Sequence, residues 1–299
     1  MRRLFLYLSR HRRLRRWMER SPVARRVSAR FIAGPDLSDA LAVARRVCDE
    51  GLRTTLDPLG ENVTTLEEAA ACRDEAVAAL RGLAAAGLEP NVSIKLTQFG
   101  LDLDERVCED NVRRLEAAAA AVEGFIRVDM ESSVYTERTL RLVGGLDPAR
   151  AGVVIQAYLR RSERDVEALC DRGVRARLCK GAYLEPDLVV YAEKRDVDRS
   201  YVRLMHTLLE RGRYPALATH DEAILAEAIR FARARGIAPD RFEFQMLYGI
   251  RRDLQRRLTS QGWRVRLYVP YGKAWYPYFM RRLAERPANA VFLLRNLWR

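Results

Sequence analysis

Tyr278, Arg281, Arg282 and Glu285 stand at i, i+3, i+4 and i+7, so a helix over this stretch carries a phenol, two guanidiniums and a carboxylate on one face. Adjacent arginines beside an aromatic ring make a planar fork of donors that matches a carboxylate or a phosphate bidentately. A solvated, Arg-rich face would look the same from this stretch alone, so the other polar residues must discriminate. They recur at the ends of short apolar runs: Asp57, Lys95, Asp129, Gln156, Arg177 with Lys180, Thr219 with His220, Gln245, and Tyr268. Taken singly, each has a bland use. Asp57 precedes Pro58 and could cap a turn, and Gln245 could satisfy backbone. Buried charge is costly unless paired or used, and one such group per run is hard to explain as packing.

The apolar runs read as strands near 52–57, 91–97, 125–130, 152–158, 174–180, 214–219, 242–247 and 264–269. A helix from after Ser38 to about Glu50 precedes them. Helical stretches lie between them, among them Leu66–Ala86, Asp104–Val122, Ser162–Asp171, Asp187–Leu209, Glu222–Arg235 and Ile250–Gln261. Eight strands alternating with helices predict an α/β fold, a closed (β/α)8 barrel of TIM type, whose active site belongs at the C-terminal strand ends. A doubly wound sheet usually places GxGxxG after its first strand, and LDPLGEN stands there instead. In the last strand Val265, Leu267 and Val269 alternate with Arg264, Arg266 and Tyr268. The Pro270-Tyr271-Gly272 turn is expected to break it. The eighth helix follows, with Pro277 tolerated in its first turn, and is expected over the C-terminal face of the barrel. The expected division is a basic helical arm over residues 1–50 and a catalytic barrel over residues 51–299.

With 48% hydrophobic and 31% charged residues in 299, the composition is that of an ordinary globular protein. No apolar run approaches a membrane span. The apolar stretch after Arg3 is too short for a signal peptide, and no small-residue cleavage site follows it. Cys48, Cys72, Cys108, Cys170 and Cys179 form no CxxC pair, which suits a reducing cytosol, without a disulfide frame or a zinc site. The net charge of +13 is local: eleven arginines against Glu19 put +10 into residues 1–30. That arm also carries Leu4, Phe5, Leu8, Leu14, Trp17, Met18 and Val23 at roughly helical spacing. It suits an anionic membrane surface, or packing on the barrel with a solvated basic face. No nucleic-acid motif accompanies the charge, so no nucleic-acid partner is expected.

The strand-end motifs together resemble the proline dehydrogenase (proline oxidase) family of FAD enzymes. The matching pieces are SIKLTQFG (93–100), RVDME (127–131), VIQAYLRR (154–161), RLCKGAY (177–183), ATHD (218–221), FEFQMLYG (242–249) and RLYVPYG (266–272) with YPYFMRRLAE (276–285). They span roughly residues 50–299 without the aldehyde-dehydrogenase domain of fused members, and so look like the stand-alone bacterial type. The resemblance implies oxidation of L-proline to Δ1-pyrroline-5-carboxylate, with hydride passing to flavin N5 and electrons on to a membrane quinone. It implies a carboxylate clamp by Arg281 and Arg282 with Lys95, and a pairing of Asp129 with Lys95. Tyr183, Leu247, Tyr268 and Tyr278 would wall the pyrrolidine ring. Gln156 and Arg177 would face the flavin ring, and Met130 would lie along it. Lys180, Gly181 and Ala182 would approach the pyrophosphate, and Thr219 and His220 the ribityl or adenine half. Glu285 would pair within its helix or reach the cofactor. Asp129 and Arg177 are the expected catalytic pair, and no metal is implied. Leu184 departs from the Trp that many members carry there. The enzyme would be cytoplasmic, with the arm as a membrane contact. Two other activities fit parts of the pattern: a class I aldolase with Lys95 or Lys180 as Schiff-base lysine, and the same flavoenzyme acting on hydroxyproline. A non-enzymatic basic barrel that binds through the arm is the third reading.

Overall fold

Strict alternation along a strand sends successive side chains to opposite faces, so each run here can bury one apolar and one polar face. A computed structural model of the protein describes residues 21, 28–60, 63–276, 278 and 280. After α1 (Leu37–Asp49) come β1 (Arg53–Pro58), α2 (Leu66–Ala85), β2 (Asn91–Ile94), α3 (Glu105–Ala121), β3 (Phe125–Val128), α4 (Thr136–Gly144) and β4 (Ala151–Gln156). Then follow α5 (Ser162–Asp171), β5 (Arg175–Cys179), α6 (Lys194–Arg211), β6 (Ala216–Ala218), α7 (Glu222–Ala234), β7 (Glu243–Leu247), α8 (Arg252–Ser260) and β8 (Val265–Tyr271). The eight strands close in sequence order into one parallel barrel, with β1 paired to β8 from Arg53↔Arg266 to Pro58↔Tyr271.

The apolar faces form a single core between strands and helices, where Val265, Leu267 and Val269 join Val43, Val47, Leu80, Leu83 and Leu115. The other face is polar. Thr55, Ser93, Arg127, Gln156, Arg177, Gln245 and Arg266 are all buried, although barrels of this kind usually fill their interior with Val, Ile and Leu. Lower in the barrel, Arg266 donates to Glu243 Oε1 at 2.8 Å, to Glu89 Oε1 at 2.8 Å and to the Thr54 carbonyl at 2.7 Å. Arg127 donates through Nη1 to the carbonyls of Val153 at 3.3 Å and Arg175 at 2.5 Å. A Cβ on Gly152 would stand 2.7 Å from that nitrogen and 2.4 Å from the Arg175 oxygen, so β4 needs glycine there.

Helix α1 packs on β1, β8 and α2, and so occupies the outer-ring place between the last strand and the first. The helix after β8 goes elsewhere. Its described residues Trp275, Tyr276, Tyr278 and Met280 are buried with Leu59 beyond β1, Ile250 beyond β7, and Phe31 and Ile32. It therefore begins over the C-terminal strand ends, as expected from the sequence.

Two boundaries differ from the sequence reading. Strand β8 runs through Pro270 to Tyr271 instead of breaking there. The pairing with β7 already ends at Tyr268, so the N–H that proline lacks is not needed, while its carbonyl accepts from Ala33 N at 2.9 Å. Helix α6 starts at Lys194, not at Asp187. The Val189 carbonyl accepts from Arg160 N at 3.0 Å, and Tyr191 N donates to the Tyr158 carbonyl at 2.8 Å. Both groups are thereby withdrawn from a helical ladder.

The Arg266–Glu243 pair generates a stability test. Burial would raise the Glu243 carboxyl, but Arg266 and Gln245 override it and hold the group at about 2, below the usual 4.5. The folded value is the lower one, so this contribution is complete above about pH 4.5 and is lost as pH falls toward 2. Glu243→Gln should cost roughly 3–5 kcal/mol near neutral pH. In urea denaturation the gap between variant and parent should narrow between pH 4.5 and 2; a constant gap would disprove the assignment.

Candidate active site

Five strands bring one network together at the C-terminal end of the barrel. Lys95, just beyond β2, donates to Asp57 Oδ1 of β1 at 2.8 Å, and its Nζ lies 3.5 Å from the Tyr268 hydroxyl of β8. Tyr268 donates to Asp129 Oδ2 at 2.8 Å. Arg177 of β5 donates through Nη1 to Asp129 Oδ1 at 2.7 Å and through Nη2 to Ser93 Oγ of β2 at 3.0 Å. Ser93 Oγ in turn lies 3.3 Å from Thr55 Oγ1 of β1. Strand β5 pairs only with β4 and β6, so Arg177 reaches these partners across the barrel interior. Its guanidinium also sits 5.3 Å from the centre of the Tyr268 ring.

The pairings refine the sequence expectation. Lys95 Nζ is 3.9 Å from Asp129 but 2.8 Å from Asp57, so Asp57 is its close partner and Asp129 belongs chiefly to Arg177 and Tyr268. Burial raises the Asp57 carboxyl above its usual value; Lys95 opposes this and Asp129 adds to it. Burial pulls the Lys95 ammonium down, but Asp57 and Asp129 outweigh burial and raise it above its ordinary value. A Schiff-base lysine must shed its proton, so the held charge counts against the aldolase reading for Lys95. Tyr183, from the loop after β5, is close enough to act electrostatically on the same ammonium.

A second cluster follows β5 and β6. Lys180 donates to Asp198 Oδ1 at 2.5 Å and to Asp221 Oδ2 at 2.8 Å, and Lys194 pairs with Asp198 as well. Gly181, at φ +109, has no alternative residue: a Cβ there would meet the Tyr158 ring at 2.2 Å. Ala182 is exposed. Thr219 Oγ1 accepts from Asp221 N at 3.1 Å, and His220 Nε2 accepts from Leu247 N at 3.1 Å. An accepting Nε2 puts the proton of neutral His220 on Nδ1. Gln156 donates to the Glu131 carbonyl at 2.8 Å, while the Glu131 carboxylate accepts from Thr97 N and Thr97 Oγ1. Met130 is buried in the main core, and Leu247 and Tyr268 pack against the cluster that holds Tyr278. Leu184 is 68% exposed.

Arg281, Arg282 and Glu285 lie outside the described residues, as does all of residues 1–20. The sequence reading counted Asp57 among the strand-end polar groups without giving it a partner, and missed Thr55, Ser93 and Glu131. The signal for two of these was available: Thr55 and Ser93 sit two residues before Asp57 and Lys95, hence on the same strand face and one step deeper.

A family model for proline dehydrogenase matches residues 40–295. The chain is 43% identical to a proline dehydrogenase of Deinococcus radiodurans over 279 residues, covering 91% of this chain and 90% of the relative. It is 37% identical to proline dehydrogenase 2 of Bacillus subtilis, covering 98% and 97%. Among solved structures, proline utilization A of Bdellovibrio bacteriovorus inactivated by N-propargylglycine superposes with a TM-score of 0.80 at 27% identity. That match covers 87% of this chain and 32% of the longer protein.

Lys95→Met would leave the fully buried Asp57 without its counter-ion, at a cost of roughly 3–5 kcal/mol. Adding Asp57→Asn should recover part of that loss. A double-mutant cycle by urea denaturation measures the coupling, and strictly additive effects would rule the pairing out.

Proposed function

The chain belongs to the proline dehydrogenase family, and on that premise we propose that it oxidises L-proline to Δ1-pyrroline-5-carboxylate with bound FAD, at the C-terminal mouth of the barrel. The observation that carries this reading is the charge-balanced set Asp57–Lys95 and Asp129–Arg177, gathered from four strands around one opening. Bound FAD would supply the acceptor, at N5, for the hydride lost from the ring carbon beside nitrogen.

The residues present suit such a group. Arg177 is buried with Nε lacking a hydrogen-bond partner. An unsatisfied polar atom beside a site is explained most simply by a ligand that completes it. Arg177 offers a fixed cation that favours negative charge developing on the ring system. Gln156 and Met130 would border the ring, and Thr219 and His220 the ribityl or adenine half. Lys180 and Lys194 face Asp198 and Asp221. Any pyrophosphate near Lys180, Gly181 and Ala182 would therefore be met by donors and not by net positive charge. Glu285 would pair within its helix or reach the cofactor.

Arg281 and Arg282, with the charged Lys95, would grip the proline carboxylate, and Tyr183, Leu247, Tyr268 and Tyr278 would wall the ring. Asp129 shapes this site without serving as a free base, because Arg177 occupies one of its oxygens and Tyr268 the other. Surrounding cations favour the neutral amine over the ammonium, and its lone pair is then free to push hydride out.

Anaerobic titration with L-proline should bleach the flavin band, whereas glutamate should not. In Arg281→Met or Arg282→Met, half-bleaching should need a proline concentration higher by orders of magnitude, since a lost charge-assisted bond to a buried carboxylate costs about 2–5 kcal/mol. A yellow protein that proline leaves unbleached would discard the substrate.

The electrons would pass to a membrane quinone, with residues 1–30 as the contact to an anionic surface. Deleting those residues should abolish flotation with anionic liposomes; undiminished flotation would remove the arm from that role.

A further inference from the structure

Arg177 is held by two acceptors of different kinds on different strands. Asp129 Oδ1 takes Nη1 at 2.7 Å, and Ser93 Oγ takes Nη2 at 3.0 Å. A guanidinium held by one nitrogen can still swing about that hydrogen bond. Held by both terminal nitrogens, its plane is fixed, and so is the direction in which the remaining Nε–H points. That Nε is the atom left buried without a partner. Ser93 and Thr55 are both fully buried, and their hydroxyl oxygens lie 3.3 Å apart. A guanidinium only donates, so Ser93 accepts from Arg177, and either its hydrogen or its second lone pair meets Thr55 Oγ1. With either direction the contact limits rotation of the Ser93 hydroxyl and so keeps a lone pair toward the arginine. Without the Thr55 hydroxyl, the Ser93 hydrogen would be free to rotate toward the Arg177 donor and weaken the contact.

We propose that the Thr55–Ser93 hydroxyl pair is a positioning device that fixes the orientation of Arg177 toward the cofactor. The inference rests on the reading of Arg177 as the cation facing the flavin ring. Neither hydroxyl touches substrate or the reacting atoms; they act through the arginine. The pair costs the barrel little to hold: both residues already point inward by strand alternation, and short side chains leave room for the guanidinium to cross.

The test uses the FAD-loaded protein and four variants: Ser93→Ala, Thr55→Val, Thr55→Ser and Arg177→Met. The primary readout is the midpoint potential of the bound flavin without proline, and the second is the split between kcat and KM. Arg177→Met should move the potential to more negative values. Ser93→Ala and Thr55→Val should move it in the same direction by a smaller amount, with kcat lowered about tenfold, short of the roughly hundredfold loss that follows a 1 Å misplacement. KM for proline should stay within about twofold, because uniform substrate binding is untouched. Thr55→Ser, which keeps the hydroxyl, should restore the parent potential, a rescue that mere packing at this position would not give. Thr55→Val is nearly isosteric, so it still decides the matter if Ser93→Ala folds poorly. If Arg177→Met shifts the potential while Ser93→Ala and Thr55→Val leave it at the parent value, the hydroxyl pair is packing and the proposal falls. If Arg177→Met itself leaves the potential unchanged, the placement of Arg177 beside the flavin fails, and this inference falls with it.

Discussion

A guanidinium that crosses the inside of a closed barrel must find every counter-charge there, since water is excluded and an unpaired buried charge is prohibitively costly. Arg177 meets that constraint through Asp129 and Ser93, with Tyr268 stacked alongside. Asp129 in turn fixes Tyr268, and Tyr268 stands beside the Lys95–Asp57 pair. Removing any one of these groups strips a partner from the next. The interior of this barrel is therefore a connected polar network where related architectures stack branched apolar side chains. Below it, Arg266, Glu243 and Glu89 form a second paired layer. The lower layer joins strands β7 and β8 to the loop before β2, and so supports the register on which the upper layer depends.

Such a network is suited to chemistry that needs fixed charges more than mobile ones. Groups whose positions are set before a ligand arrives need no reorganisation when charge develops. Asp57 and Lys95 neutralise each other beneath the opening, and Asp129 and Arg177 do the same beside it. The resulting floor is polar yet close to neutral, because each buried cation there has its carboxylate beside it. The cluster of Lys180, Lys194, Asp198 and Asp221 repeats this balance at the next strand ends.

The architecture leaves one helix off the barrel wall. Helix α1 occupies the outer ring between β8 and β1, so the segment after β8 need not cover the barrel wall. Its aromatic start instead packs on Leu59 and Ile250 above the strand ends. The chain before α1 is tied to the same region, with Ala33 bonded to Pro270 and Gly272 to Gly34. Both ends of the described chain thus meet over the face that carries the charged network.

Much of this was legible in the residues. Alternation in Val265–Val269 and its counterparts fixed which faces are apolar, because the side-chain period of a strand is a local property. The recurrence of strands and helices set the barrel, and the polar residue at each strand end marked the working face. The order of motifs carried the family. What the sequence left open was the order of partnership: it paired Lys95 with Asp129, and the fold keeps that pair at 3.9 Å but sets Lys95 closer to Asp57, at 2.8 Å, and Asp129 closer to Arg177. Nor did it single out Ser93 or Thr55, two small hydroxyls that matter only because a β5 arginine reaches them. The continuation of β8 through Pro270 and the late start of α6 were likewise decided by neighbours distant in sequence. Local periodicity states which way a side chain points. Only closure of the sheet, with the tilt and stagger that closure requires, decides which groups meet across the interior.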